Sequence, residues 1–268
     1  MTTIWTGYRH TEFFDVRETE PAKRSTPAQI KALEKARAVK FEREEARWQA
    51  EQDKMAARLL EEEAELEAMI ARDHEAMCRW AREKLEQREG FVVLDTETTG
   101  LELGCEVVQI AVLRGDGEVL LDSLVQPVRG IPDEVSLIHG ITNDAVRVAP
   151  TFLEIWPRVL EAVGDRTLVI YNSSFDLRIM RESLALRGVQ IELESRTREL
   201  DEFTGEAVTR FVGGGRVECA MDRYARFSGD WSRRRGAYRW WPLGGAHRAV
   251  DDCRAVLSLL EGMASSAR

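Results

Sequence analysis

The segment Phe91-Val92-Val93-Leu94-Asp95-Thr96-Glu97 sets two carboxylates two positions apart at the end of a four-residue apolar run. Side chains alternate faces along a strand, so Asp95 and Glu97 project together from its end. Two like charges held side by side repel, and a cation between them resolves the conflict. Hard carboxylate oxygens of this kind suit Mg²⁺ or Mn²⁺; a pair of solvated acids at a strand end is the plainer alternative. A second run, Val169-Ile170-Tyr171-Asn172-Ser173-Ser174-Phe175-Asp176, reads as a strand ending in a polar turn, with Asp176 at a helix start. A carboxylate there also suits the helix macrodipole without any further role. Near the C-terminus, Gly244-Gly245-Ala246-His247-Arg248-Ala249-Val250-Asp251-Asp252 places His247 at the start of a helix and Asp252 one and a half turns later. A lone histidine at such a position is commonly structural or merely exposed, but the glycines before it leave its ring accessible.

These residues need a scaffold, and the chain changes character near Gly90 to supply one. Residues 1–27 form an irregular segment with scattered aromatics (Trp5, Tyr8, Phe13, Phe14), ending in breakers. Ser25 or Thr26 suits a helix N-cap, with Pro27 at the first helical position. Residues 28–89 contain neither Pro nor Gly and are rich in Ala, Glu, Lys, Arg and Leu, which predicts a charged helical extension. Phe41, Trp48 and Met55 recur every seven residues, followed by Leu59 and Leu66, so a coiled coil, a protein partner or a solvated helix are all open. Residues 90–268 form the predicted catalytic domain. Strands are expected at 91–95, 106–114, 118–126, 167–171 and 216–220, with Gly115-Asp116-Gly117 turning a hairpin between the second and third. Helices are expected at 151–163, 174–187 and 246–264, giving a mixed sheet flanked by helices.

Composition narrows the class. The chain has 268 residues and 44% hydrophobic residues, enough for a packed core. No stretch approaches the roughly 18–20 apolar residues of a membrane span, and the first ten residues do not read as a secretory signal. Cys78, Cys105, Cys219 and Cys253 lie far apart without C-x-x-C spacing, so they are read as reduced thiols of a cytoplasmic protein and not as a zinc site. A net charge of −9 does not favour nucleic acid by itself, but local patches matter more than the sum, and Arg233-Arg234-Arg235 with Arg239 forms one.

Asp95-x-Glu97, Asn172-x-x-Phe175-Asp176 and His247-x-Ala249-x-x-Asp252 match, in order and spacing, the three motifs of the DEDDh 3′–5′ exonuclease family, the DnaQ-like group that includes the proofreading epsilon subunit of bacterial DNA polymerase III. Flanking text agrees: Thr98-Thr99-Gly100-Leu101 after the first motif, and Ile138-His139-Gly140-Ile141-Thr142 further on. The resemblance covers residues from Phe91 to the C-terminus. It implies an RNase H-like α/β fold with a five-stranded mixed sheet whose second strand is antiparallel. It also implies a two-metal phosphodiesterase in which Asp95, Glu97, Asp176 and Asp252 hold two Mg²⁺ or Mn²⁺ ions and His247 is the general base. Those roles make chemical sense, because two cations can flank a scissile phosphate and a neutral imidazole accepts a proton near pH 7.

By the same resemblance, Thr98 and Leu101 border the 3′-terminal nucleotide, and His139 and Asn172 lie beside that pocket. Tyr171 departs from the pattern, since many relatives have His there; the change bears on substrate preference more than on metal binding. The stretch Trp231–Trp241 interleaves arginine and aromatic residues, a composition that holds phosphates and stacks on bases, and it names Tyr238 and Trp240 as candidate substrate contacts. Packing of the same aromatics on the core is the alternative. The expected partner is the 3′ end of single-stranded nucleic acid, DNA before RNA, with a homodimer or a protein partner through the N-terminal helix and no membrane. An exoribonuclease and a non-catalytic adaptor on the same fold are the rival readings.

Overall fold

A computed structural model describes residues 25–245 and 247–266. The expectations for residues 1–24 and for Ala246 lie outside the described residues. The elements run α1 (Pro27–Glu86), β1 (Phe91–Thr98), β2 (Val107–Arg114), β3 (Val119–Leu124), α2 (Asp133–His139), α3 (Asn143–Val146), α4 (Phe152–Val163), β4 (Thr167–Ile170) and α5 (Ser173–Ala185). They continue with β5 (Glu194–Leu200), β6 (Ala207–Phe211), β7 (Arg216–Cys219), α6 (Ala220–Ser228), β8 (Trp231–Ser232), β9 (Ala237–Tyr238) and α7 (Ala249–Ser265). The chain divides into two compact units, one ending at Ala64 and the other beginning at Glu65.

In the first unit, the N-terminus of α1 is closed by a reciprocal cap. The Gln29 N–H donates to Thr26 Oγ1 at 3.3 Å, and the Thr26 N–H donates to Gln29 Oε1 at 2.9 Å, so Thr26 takes the role that the Ser-Thr-Pro sequence suggested. Among the described residues the seven-residue stripe is exposed: Phe41, Trp48 and Met55 are 65%, 59% and 60% exposed.

The second unit is built on a seven-stranded mixed sheet in the order β3-β2-β1-β4-β7-β6-β5. All five expected strands are present, with β2 antiparallel to β1 and β4 parallel to it. The expected five-stranded sheet is corrected to seven, because β5 and β6 add an antiparallel hairpin beyond β7. β5, Glu-Ser-Arg-Thr-Arg-Glu-Leu, has no apolar alternation to betray it, and its charges are those of an edge strand, which repel further pairing. Gly215 lets this extension close onto the sheet: a Cβ there would meet the Arg166 carbonyl oxygen at 1.9 Å.

Both faces of β1 are buried. Val92 and Leu94 pack with Ile110, Leu168 and the inner residues of α4 and α5, including Ile155, Val159 and Met180. Phe91 and Val93 pack on the opposite face with Ala111, Val169 and the apolar side of α7 (Cys253, Val256, Leu260). Met77, Trp80 and Ala81 of α1 belong to that second core, so the helical extension expected over 28–89 does not end where the core begins. A buried polar knot fastens these turns of α1. Glu218 of β7 accepts from Trp80 Nε1 at 2.8 Å and meets Lys84 at 3.1 Å and Arg223 at 3.7 Å, while Arg223 also pairs with Asp201 at 2.7 Å and lies over the Trp80 ring. All four cysteines are free thiols. Among the described residues no helix is long and apolar enough to cross a membrane.

Candidate active site

β1 outruns its parallel neighbour. Its pairing with β4 stops at Leu94↔Ile170, whereas its pairing with β2 continues through Asp95↔Ala111 to Glu97↔Gln109 and then shifts register at Thr98. The carboxyl ends of β1 and β4 therefore open on the same edge, the place where α/β sheets commonly build ligand sites. Asp95 and Glu97 continue the face of Phe91 and Val93, toward α7. The small Ala111 and Cys253 allow α7 to lie close, with Cys253 Sγ 3.6 Å from the Val93 carbonyl oxygen. Asp252, one residue earlier on α7, is thereby delivered to the acids. One oxygen each from Asp95, Glu97 and Asp252 lie within 4.8 Å of one another.

Asp176 arrives from the other face. α5 starts directly after β4, with Asn172 as its N-cap, and buries Asp176 to 4% exposure. Its Oδ1 accepts from Thr96 Oγ1 at 2.7 Å. Thr96 lies between the two acids of β1 and faces opposite to them, so the period of two that sets Asp95 beside Glu97 also aims Thr96 at Asp176. Thr96 was missed in the sequence for want of any motif value, although that same alternation carried the signal.

The electrostatics express the crowding. Burial raises the Asp95 pKa well above the usual carboxylate range, and Asp176, Asp252 and Glu97 raise it further. Burial, then Asp252 and Asp176, push Glu97 up to about 7, while the Arg248 guanidinium pulls the other way. Burial pushes Asp176 up to about 7 against its hydrogen bonds from Thr96. Carboxylates drawn together in a dry site stay ionised at neutral pH only with positive charge among them. The donor set fits divalent cations: clustered hard oxygens, held by strands and helices rather than by loops.

Gly245 packs directly on this site, since a Cβ there would fall 1.6 Å from Asp252 Oδ1. Gly245 thus keeps the approach to Asp252 clear. The expectation that His247 starts the helix is corrected: α7 begins at Ala249, and His247 stands before it, exposed, in the left-handed region at φ 52°. Its neighbour Arg248, which sequence reasoning passed over, reaches the region of Gly140 and influences both Glu97 and His139.

The remaining candidates surround the acids at different depths. His139 is buried at the end of α2; its Nδ1 accepts from the Ile141 N–H at 3.0 Å, and burial lowers its pKa, an effect the Thr98 backbone opposes. Thr98 is buried and donates from Oγ1 to the Gly100 carbonyl at 2.8 Å. Leu101 is 75% exposed and so is no part of the core. Asn172 Oδ1 accepts from Ser174 Oγ at 3.2 Å. Tyr171, the departure from the motif, donates its hydroxyl to the Trp241 carbonyl. Tyr238 is engaged internally, donating its hydroxyl to Asp73 Oδ2 at 2.9 Å with its ring against Trp231, whereas Trp240 is 65% exposed.

A mixed sheet on which acids from β1, α5 and α7 gather at one edge could hold a divalent cation, and comparison with known proteins specifies the class. A family model described as Exonuclease matches residues 92–203. The uncharacterized exonuclease CP81 of Escherichia phage 186 is 34% identical over 185 residues, which cover 65% of this chain and 87% of that protein. The DNA polymerase III subunit epsilon of Rickettsia prowazekii is 34% identical over 101 residues, 35% of this chain and 44% of that protein. An epsilon-like protein of Rhodobacter capsulatus is 42% identical over 106 residues but is matched over only 15% of its length. A solved structure of exonuclease X with 5′ overhanging duplex DNA aligns with 66% of this chain and 92% of its own, at 25% identity and a TM-score of 0.42. The chain belongs to the DnaQ-like exonuclease family.

Proposed function

We propose that this exonuclease works from 3′ ends, hydrolysing single-stranded DNA and releasing nucleoside 5′-monophosphates with two Mg²⁺ or Mn²⁺ ions. The observation that carries the reading is the convergence of Asp95, Glu97 and Asp252 to within 4.8 Å, with the charge of the buried Asp176 felt at Asp95. When bound, two such ions supply activation of the attacking water and charge stabilisation of the leaving 3′ oxygen. Asp95, Glu97, Asp176 and Asp252 would hold the ions, and the Thr96 hydroxyl fixes the carboxylate of Asp176. His247 takes the proton of the attacking water on an imidazole nitrogen; its exposed position ahead of α7 leaves the ring accessible to that water. Thr98, Leu101, His139 and Asn172 border the terminal nucleotide, with the exposed Leu101 available to a base. The preference for DNA rests on kinship with the epsilon subunits of DNA polymerase III.

The test is degradation of end-labelled single-stranded DNA, duplex DNA and RNA with Mg²⁺, Mn²⁺ or EDTA. A ladder from the 3′ end of single-stranded DNA, abolished by EDTA and by D95A, is the expected result. Faster loss of RNA would replace the substrate assignment with the exoribonuclease reading. No cleavage of any polymer by the wild type would favour an adaptor instead. The bare stripe of Phe41, Trp48 and Met55 suits association with a second copy or a protein partner. Equal sedimentation of wild type and F41E/W48E would exclude self-association through it.

A further inference from the structure

The segment between α6 and α7 carries chemistry that the acid site leaves unused. β8 and β9 pair antiparallel in a two-stranded ribbon separate from the main sheet. The backbone N–H groups of Arg235 and Gly236 both donate to the Ser232 carbonyl, at 3.0 and 2.9 Å. That tight turn puts Gly236 at φ 62°, where a glycine is favoured. Residues 233–236 at its tip are all exposed, and the guanidiniums of Arg234 and Arg235 have no ion-pair partner among the described residues.

The base of this ribbon is tied down on both sides. Tyr238 donates to Asp73 of α1, which Arg226 also meets at 3.4 Å, and the Tyr238 and Trp231 rings pack edge to face at 5.0 Å. The ribbon's exit is held where Tyr171 donates to the Trp241 carbonyl, and Tyr171 directly precedes Asn172. Between these ties Trp240 stands in solvent. With Asn172, Ser174 and Arg196 it lines a cleft of about 540 Å³ beside the start of α5.

Successive arginines at a turn repel one another, and a bare indole leaves apolar surface in water; neither helps the fold. A rigid base beneath them holds the combination ready for a polyanion with flat faces. We propose that the ribbon anchors the single-stranded polynucleotide away from the acid cluster: Arg234 and Arg235 take backbone phosphates, and Trp240 stacks on a base. The proposal rests on the exonuclease reading of the site. Tyr238 becomes a positioning residue, and α1 becomes the support that aims the ribbon. An acidic protein segment would also be drawn to the arginines but has no use for the exposed indole.

The test uses the full-length protein with a 30-nucleotide single strand and a dinucleotide. For R234E/R235E, the kcat/KM for the 30-mer should fall about tenfold relative to that for the dinucleotide near 0.1 M salt, as expected when phosphate contacts are lost. Anisotropy of a labelled 30-mer in EDTA should give a salt slope shallower by about 1.4, roughly 0.7 for each lost contact on a single strand. W240A should weaken binding while leaving that slope unchanged, because stacking releases no counterions. Wild-type binding and degradation of the 30-mer by R234E/R235E would overturn the anchor, as would a loss confined to a poly-glutamate peptide. If the wild type degrades neither substrate with either metal, the exonuclease reading fails. The anisotropy comparison in EDTA still judges the ribbon on its own.

Discussion

Replacing Asp176 with Asn should stabilise the metal-free protein at alkaline pH. The carboxyl is buried, touches the acid cluster electrostatically and is pushed up from 3.8 to about 7. A folded-state pKa raised above the unfolded value means that folding favours the protonated form. The stabilisation is complete below about pH 4 and is lost as pH rises through about 7. A rise from 3.8 to about 7 corresponds to about 4 kcal/mol. Asn is a neutral isostere that still offers Thr96 an oxygen, so D176N removes the electrostatic cost and keeps the hydrogen bond. In EDTA at pH 8, urea unfolding should show D176N more stable than wild type by about 2–4 kcal/mol, or a melting temperature higher by roughly 5–15 °C. At pH 4 the two should nearly coincide. With saturating Mg²⁺ the order should narrow or reverse, because the cations reward the carboxylate. Equal stability of the two proteins at pH 8 in EDTA would refute the claim that burial penalises the ionised Asp176 carboxylate in the absence of cations.

The buried knot on β7 gives a second prediction. E218Q leaves Lys84 and Arg223 without their shared carboxylate and should cost about 3–5 kcal/mol in urea unfolding; a loss below about 1 kcal/mol would mean that the turns of α1 are held by apolar packing alone. G245A forces a methyl group onto Asp252 Oδ1. It should weaken Mn²⁺ binding, read by calorimetry, far more than it lowers the melting temperature, and unchanged Mn²⁺ affinity would count against Gly245 as part of the site wall. Finally, H247A should keep Mn²⁺ affinity while losing about 10²–10⁴-fold in kcat, the usual contribution of a general base. A variant with near wild-type turnover would transfer that role elsewhere.

Much of this molecule is legible one residue at a time. The apolar run before Asp95, the Thr-Pro cap of α1 and the alternating elements from Phe91 onward are local patterns, and strands β1, β2, β3, β4 and β7 follow from them. So does the pairing of Asp95 with Glu97, because a period of two is a property of any strand. The motif order named Asp176, His247 and Asp252 before any fold was visible. Tertiary structure decided what local pattern could not carry. β5 is a strand by pairing with β6 at a sheet edge, against a polar sequence that gives no such signal. Thr96 matters only because α5 happens to lie on the opposite face of β1. Tyr238, which composition offered as a stacking platform, is committed to Asp73 some 165 positions away in sequence. Its neighbour Trp240 is left to solvent. Which acids this protein possesses is written in its residues; how buried and how close they are followed when α7 and α5 closed on the two faces of one strand, because burial and mutual repulsion are properties of the packed site and of no single segment.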